Sequence, residues 1–147
     1  MKKFIAVLLL ASLTALAHTQ EVKAKQLQGR SANLFVIEVG LSGKACHFIV
    51  DTGAAMTMIS KEMGQNTIVI HKYSVVDSTG HDSPIDVTHV KLTVGSAKTW
   101  VNAFVSDMAA ISRASGMKID GILGQDLLSQ FRSVTFNYRA KTITFQQ

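Results

Sequence analysis

The stretch HFIVDTGAAMTMIS, residues 47–60, puts a carboxylate where a carboxylate is costly. Phe48, Ile49 and Val50 read as the end of a core strand, and Asp51 follows directly. An unpaired charge at such a place is expensive, so its surroundings must compensate. Thr52 and Gly53 come next, then Ala54 and Ala55. Gly53 lets the backbone bend and approach closely without a Cβ, so that backbone N–H groups and the Thr52 hydroxyl can hydrogen-bond around the carboxylate. A carboxylate held in this way can take or give a proton in catalysis. It can also serve as a turn cap in an inert fold. A second signal, DGILGQDLL, begins at Asp120. Asp120 reads as a cap on the turn into Gly121–Gly124, without a catalytic role. His47, His71, His81 and His89 show neither H-x-x-x-H nor H-E-x-x-H spacing, so no metal is expected. G-x-S-x-G is missing too, which removes that form of serine catalysis. No cofactor is expected.

The elements that position these residues read mostly as strands. NLFVIEVG, LSGK and ACHFIV give strand, glycine-containing turn, strand. MTMIS continues as a strand after the D-T-G-A segment, and NTIVIHKYSVV looks extended. DSTGHDSP is the clearest turn cluster. In IDVTHVKLTVG, Val90, Leu92 and Val94 alternate with His89, Lys91 and Thr93. TWVNAFVSD is a further strand, and 106–118 is a polar, Ala-rich connection with room for a helical turn. Leu127, Leu128 and Phe131 have helical spacing, so QDLLSQF is expected to form one short helix near the C-terminus. VTFNYRAKTITF closes as a hairpin. The expected class is all-β, with no internal repeat. Met56, Met58 and Met63 read as core filling.

The chain has 147 residues, 47% of them hydrophobic and 17% charged. That suits one domain with a core large enough to need no staple. Residues 1–17 read as a secretory signal: Lys2 and Lys3 precede an apolar run to Ala17, and Ala15-Leu16-Ala17 is an A-x-A site. The run is too short to span a bilayer comfortably, so cleavage after Ala17 into the periplasm or exterior is expected, with no stable membrane span afterwards. An uncleaved inner-membrane anchor is the alternative. With no Cys after the apolar run, a lipoprotein is not expected. Loss of Lys2 and Lys3 takes the net charge from +5 to +3. The remaining basic residues are scattered in sequence without interleaved aromatics, so no nucleic acid partner is expected. Cys46 is the single cysteine; it cannot form an intramolecular disulfide and reads as a small core residue. Residues 18–32 read as a polar N-terminal arm, and 33–147 as the domain.

VDTGA, ILGQDLLSQF and the terminal hairpin, in that order over residues 33–147, resemble the retropepsins, the single-domain aspartic proteases of retroviruses and their bacterial relatives. The resemblance implies an acid-protease barrel in which each chain supplies half of an active site and a homodimer completes it. It implies that Asp51 is the catalytic acid and that Thr52 locks the two loops across the dimer axis. Gly53 and Ala54 would shape the loop, and Ile122, Leu123 and Gly124 would support it from behind in a psi-shaped substructure. VVDSTGHDSP stands at the family's flap, with Ser78, Thr79 and Gly80 as its candidate tip; an ordinary hairpin turn is the plainer reading of Thr79-Gly80. Two carboxylates about 3 Å apart share a proton and titrate as a pair. One would activate water as general base, while the other would polarise the carbonyl of a peptide or protein substrate. The implied activity is that of an exported aspartic endopeptidase. The alternatives are a catalytically silent barrel that binds peptides and a structural dimerisation module.

This sequence departs from the family in two places. Retroviral members usually carry an acid after D-T-G-A and an Arg after the Ile-Leu/Ile-Gly, and these two pair. Here the positions hold Ala55 and Gln125. Both partners are missing together, so no buried charge is stranded, and a weaker dimer is expected unless other contacts hold it. Gly80 is the only glycine in the flap segment, where the family is glycine-rich.

Overall fold

In Asn33–Leu41 the large apolar residues Phe35, Ile37, Val39 and Leu41 fall at every second position, and that period of two fixes how the strand sits. In the computed structural model, which describes residues 18–28, 33–76 and 80–147, this segment is strand β2. Phe35, Ile37, Val39 and Leu41 point into the main core. Val36 points the other way, into a second, smaller cluster with Ile49 and Ile119. Strand β3 (Lys44–Val50) runs antiparallel to β2, joined through a tight turn at Ser42 and Gly43, both with positive φ. Two such residues give the hairpin turn that matches strand twist. On β3, Phe48 and Val50 enter the main core while Ile49 enters the small one. The strand leading to Asp51 is therefore buried on both faces. A continuous apolar run is what such a strand needs.

The chain before β2, residues 18–32 in the sequence reading, carries β1 (Thr19–Gln28). Its first half pairs with β10 (Thr142–Gln146), from Thr19 opposite Gln146 to Lys23 opposite Thr142. Its second half pairs with β2, from Ala24 opposite Ile37 to Gln28 opposite Asn33. Few apolar side chains mark β1, because only Val22 and Ala24 pack against the main core and Leu27 against the small one. Backbone pairing on both flanks supplies what its composition does not signal.

The remaining strands are β4 (Met58–Ser60), β5 (Val69–Val76), β6 (Asp82–Val94), β7 (Ala97–Ser106), β8 (Gly121–Leu123) and β9 (Ser133–Asn137). Among the described residues they form a ten-stranded sheet, ordered β5-β6-β7-β4-β8-β3-β2-β1-β10-β9. The expected barrel is corrected by this order: β5 and β9 are edges, and a closed barrel has none. An additional pairing of β6 with β2 curls the middle of the sheet back on itself around the core.

The expectation of one helix is also corrected, since three are present among the described residues. α3 (Gln125–Leu128) is the expected one, and it buries Leu127 and Leu128. α1 (Lys61–Gly64) starts where Ser60 accepts a hydrogen bond from the Met63 N–H at 3.3 Å. That cap ends the strand reading of MTMIS. α2 (Ala109–Ser115) lies within the Ala-rich connection: Asp107 accepts from the Ala109 N–H at 2.8 Å, and Gly116 ends the helix at φ 67°. A left-handed glycine is a common helix stop. No helix of the described residues is long and apolar enough to cross a membrane. The candidate signal, residues 1–17, lies outside the described residues, as do Ser78 and Thr79.

Candidate active site

β8 is what makes the Asp51 loop possible. It lies between β3, to which it is parallel, and β4, to which it is antiparallel. The chain leaves β3 at Val50, crosses the end of β8 as residues 51–57, and returns along its other side as β4. Val50 pairs with Leu123, and the Asp51 N–H donates to the Leu123 carbonyl at 3.1 Å. Asp51 is thus fixed at the first position beyond the buried strand, and it is half-buried. Its Oδ1 accepts the Gly53 N–H at 2.8 Å, and a Cβ on Gly53 would stand 3.2 Å from that oxygen. The costly carboxylate is therefore both partly solvated and hydrogen-bonded by its own loop.

Gly124 holds the other side of the loop. A Cβ there would lie 2.5 Å from the Met56 carbonyl carbon and 2.9 Å from the Ala54 carbonyl oxygen, so only glycine permits the approach. That closeness lets the start of α3 hydrogen-bond the loop backbone. The N–H groups of Gln125 and Asp126 donate to the carbonyls of Ala54 and Ala55 at 2.8 and 3.2 Å. The Gln125 Nε2 donates to the Thr52 carbonyl at 2.6 Å. Asp126 Oδ1 accepts from both the N–H and the hydroxyl of Thr57, each at 2.8 Å, and the Thr57 Oγ1 accepts from the Gly124 N–H at 3.2 Å.

The sequence-picked residues fall into one place. Asp51, Thr52, Gly53 and Ala54 form the loop, and Ile122, Leu123 and Gly124 lie directly behind it. Thr52 and Gly53 are exposed. Among the described residues nothing hydrogen-bonds the Thr52 hydroxyl. Gly80, at φ 82°, lies between β5 and β6, which pair from Val69–Thr88 to Val76–Asp82. Thr57 and Asp126 were not singled out from the sequence. The signal available was faint: a Thr between two Met residues, and an Asp one residue beyond Ile-Leu-Gly-Gln.

Asp120 stands apart from this loop. It is 4% exposed, its Oδ2 accepts from the His47 N–H at 2.9 Å, and its Oδ1 lies 3.3 Å from Lys118 Nζ. Lys118 also reaches Glu62 at 2.8 Å. The hydrogen bond to Glu62, with a further one to Asp120, raises the Lys118 pKa. Burial, helped by the Asp120 charge, pushes the Cys46 thiol up. Asp120 ties β3 to the segment entering β8, as a structural acid. Among the described residues no cluster of three or more His, Cys, Asp or Glu could hold a metal.

A family model described as aspartyl protease matches residues 37–127, which include the Asp51 loop, β8 and most of α3. The chain belongs to the aspartyl protease family. No curated protein sequence matches it. Its fold is that of the retropepsin-like superfamily. A retropepsin-like aspartic protease from Rickettsia conorii is similar at a TM-score of 0.55 and 15% identity, over 88% of this chain and 93% of that one. The retroviral protease-like domain of Ddi1 from Leishmania major gives 0.54 and 13%, over 78% and 90%. The protease of Simian Foamy Virus (mac) gives 0.52 and 15%, over 67% and 97%.

The Thr57 clamp sets the first prediction. Thr57→Val keeps the side-chain shape but removes the hydroxyl, leaving the buried Gly124 N–H unpaired and Asp126 with one bond fewer. A loss of about 2 kcal/mol in unfolding free energy is expected, with Thr57→Ser close to wild type. Urea denaturation of the three proteins checks it; equal midpoints would mean that the clamp does not hold the loop.

Proposed function

We propose that the protein is an exported aspartic endopeptidase that works as a homodimer. Water activated between two Asp51 carboxylates hydrolyses the peptide bond. The observation that carries this reading is the placement of Asp51: a half-buried carboxylate, fixed at a strand end by the Leu123 carbonyl, on a loop whose Thr52 is exposed. D-T-G occurs once in the chain. A two-fold axis beside the loop brings two copies face to face, as two-fold dimers do, and the exposed Thr52 hydroxyls then meet across it.

Brought to about 3 Å from each other, the two carboxylates share one proton. The ionised Asp51 takes a proton from water as the water attacks the scissile carbonyl. The protonated Asp51 hydrogen-bonds the carbonyl oxygen and later helps to deliver a proton to the leaving nitrogen. The β5–β6 hairpin closes over the bound peptide, and such closure orders the substrate and shuts out bulk water while keeping the attacking water. Gln125, bonded to the Thr52 carbonyl, holds the loop where the retroviral ion pair is missing.

Export is the proposed localisation, to the periplasm or beyond. His18, the first residue after the expected cleavage point, is already tied down: its carbonyl accepts from the Gln147 N–H at 3.0 Å, and its ring meets Ser96 Oγ at 3.0 Å.

Two outcomes are expected. Asp51→Asn should lower cleavage of an unbiased peptide library by about a thousandfold or more while leaving the unfolding midpoint nearly unchanged; cleavage at the wild-type rate would refute the assignment. N-terminal sequencing of protein from the cell envelope should begin at His18, whereas an intact Met1 on membrane-bound protein would replace export by anchoring.

A further inference from the structure

A groove of about 1090 Å³ lies on the outer side of the sheet, where β2 meets β6, and none of the Asp51 loop lines it. Its walls come from the β2–β3 hairpin, the segment before β5 and the β6–β7 hairpin. Four lysines far apart in sequence converge on it: Lys23 from β1, Lys44 from β3, Lys91 from β6 and Lys98 from β7. All four are exposed. The ion pairs among the described residues involve only Lys72 and Lys118 as cations, so none of these four is ion-paired among those residues. Glu38 is the single acid among the described lining residues. Four cations against one anion in a concave surface focus a positive field.

The spacing suits an extended polypeptide. Lys91 stands opposite Trp100, and Thr93 opposite Lys98, so Lys91 and Lys98 are diagonal neighbours on one face. Diagonal neighbours lie about 7–8 Å apart. Alternate side chains of an extended peptide are about 7 Å apart and point the same way. The lining also offers apolar contact, from Ile68 at 83% exposure and Trp100 at 54%.

A nucleic acid fits less well. Base binding uses open aromatic faces, and the two aromatic rings among the described lining residues are stacked on each other. His89 stacks on Trp100 with centroids 4.8 Å apart and planes at 6°, and Lys91 Nζ lies 5.9 Å from the indole centroid. Glu38 would also oppose a continuous run of phosphates.

We propose that this groove binds an extended acidic stretch of polypeptide, its acids at alternate positions meeting the lysines and the residues between them meeting Ile68 and Trp100. The use of this contact to recruit protein substrate rests on the protease reading; the binding itself does not.

Trp100 is the only tryptophan in the chain, so its fluorescence reports on the groove alone. The test titrates full-length Asp51→Asn protein, which separates binding from cleavage, with a capped ten-residue peptide alternating Glu and Ala. The Lys-for-Glu peptide and a ten-nucleotide single-stranded DNA are the comparators. A saturable change with the Glu peptide alone is expected, weakened about tenfold by Lys91→Ala/Lys98→Ala and weakened by added salt. Glu38→Gln should tighten binding, a gain that a damaged fold would not produce. The proposal is overturned by no saturable change, by equal binding of the Lys peptide or tighter binding of the DNA, by unchanged affinity in the double-lysine variant, or by Glu38→Gln binding no tighter.

Discussion

The close approach of the Asp51 loop to Gly124 is the constraint on which the rest of the site depends. With no Cβ at that position, the backbone of residues 54–56 comes within van der Waals limits of the segment after β8. Hydrogen bonds then follow in a row: two from backbone N–H groups to the Ala54 and Ala55 carbonyls, one from Gln125 to Thr52, and three around Thr57. Each such bond is worth about 1 kcal/mol net. The greater effect is geometric, because the loop that carries Asp51 is held from behind along most of its length while its Thr52-Gly53 front stays exposed.

A similar economy governs charge in the protein. Where an acid and an Arg would pair beside the loop, Ala55 and Gln125 stand, and Gln125 Nε2 supplies a neutral hydrogen bond. No ion has to be desolvated there, a cost that often cancels the attraction of a buried pair. The acids that are buried or half-buried near the site have structural partners instead: Asp120 with the His47 N–H and Lys118, and Asp126 with Thr57. Asp51 is the carboxylate of this region whose bonds, to Gly53 alone, stay within its own turn.

The loop and its support were legible in the sequence because both carry residues that little else explains. An acid after Phe48-Ile49-Val50, and glycines bracketing Ile122-Leu123, are unusual enough to mark a site. The strand class was legible from alternation, as in Val90, Leu92 and Val94. The closure was not: residue patterns do not show whether edges meet, and among the described residues β5 and β9 end the sheet unpaired on one side. α1 was missed, and α2 was read only as room for a helical turn in 106–118, because a few residues hold no helical period, and Ser60 and Asp107, their hydrogen-bonding starts, look like ordinary strand-end residues. β1 was hidden by polar composition, since pairing on β10 and β2 rather than burial places it. Thr57 and Asp126 were hidden for a further reason. Their importance lies in meeting each other across 69 residues of chain, which no local pattern records. The lysines of the outer groove were likewise scattered until the strands were paired.

In the proposed mechanism, catalysis needs two Asp51 carboxylates from two chains. The most direct measurement mixes wild-type and Asp51→Asn chains at fixed total concentration, allows subunits to exchange, and follows peptide cleavage against the wild-type fraction. The shared dyad predicts activity that falls as the square of that fraction, because a mixed dimer holds a single ionisable Asp51. A straight-line dependence, with subunit exchange demonstrated, would mean that each chain acts alone and would contradict it.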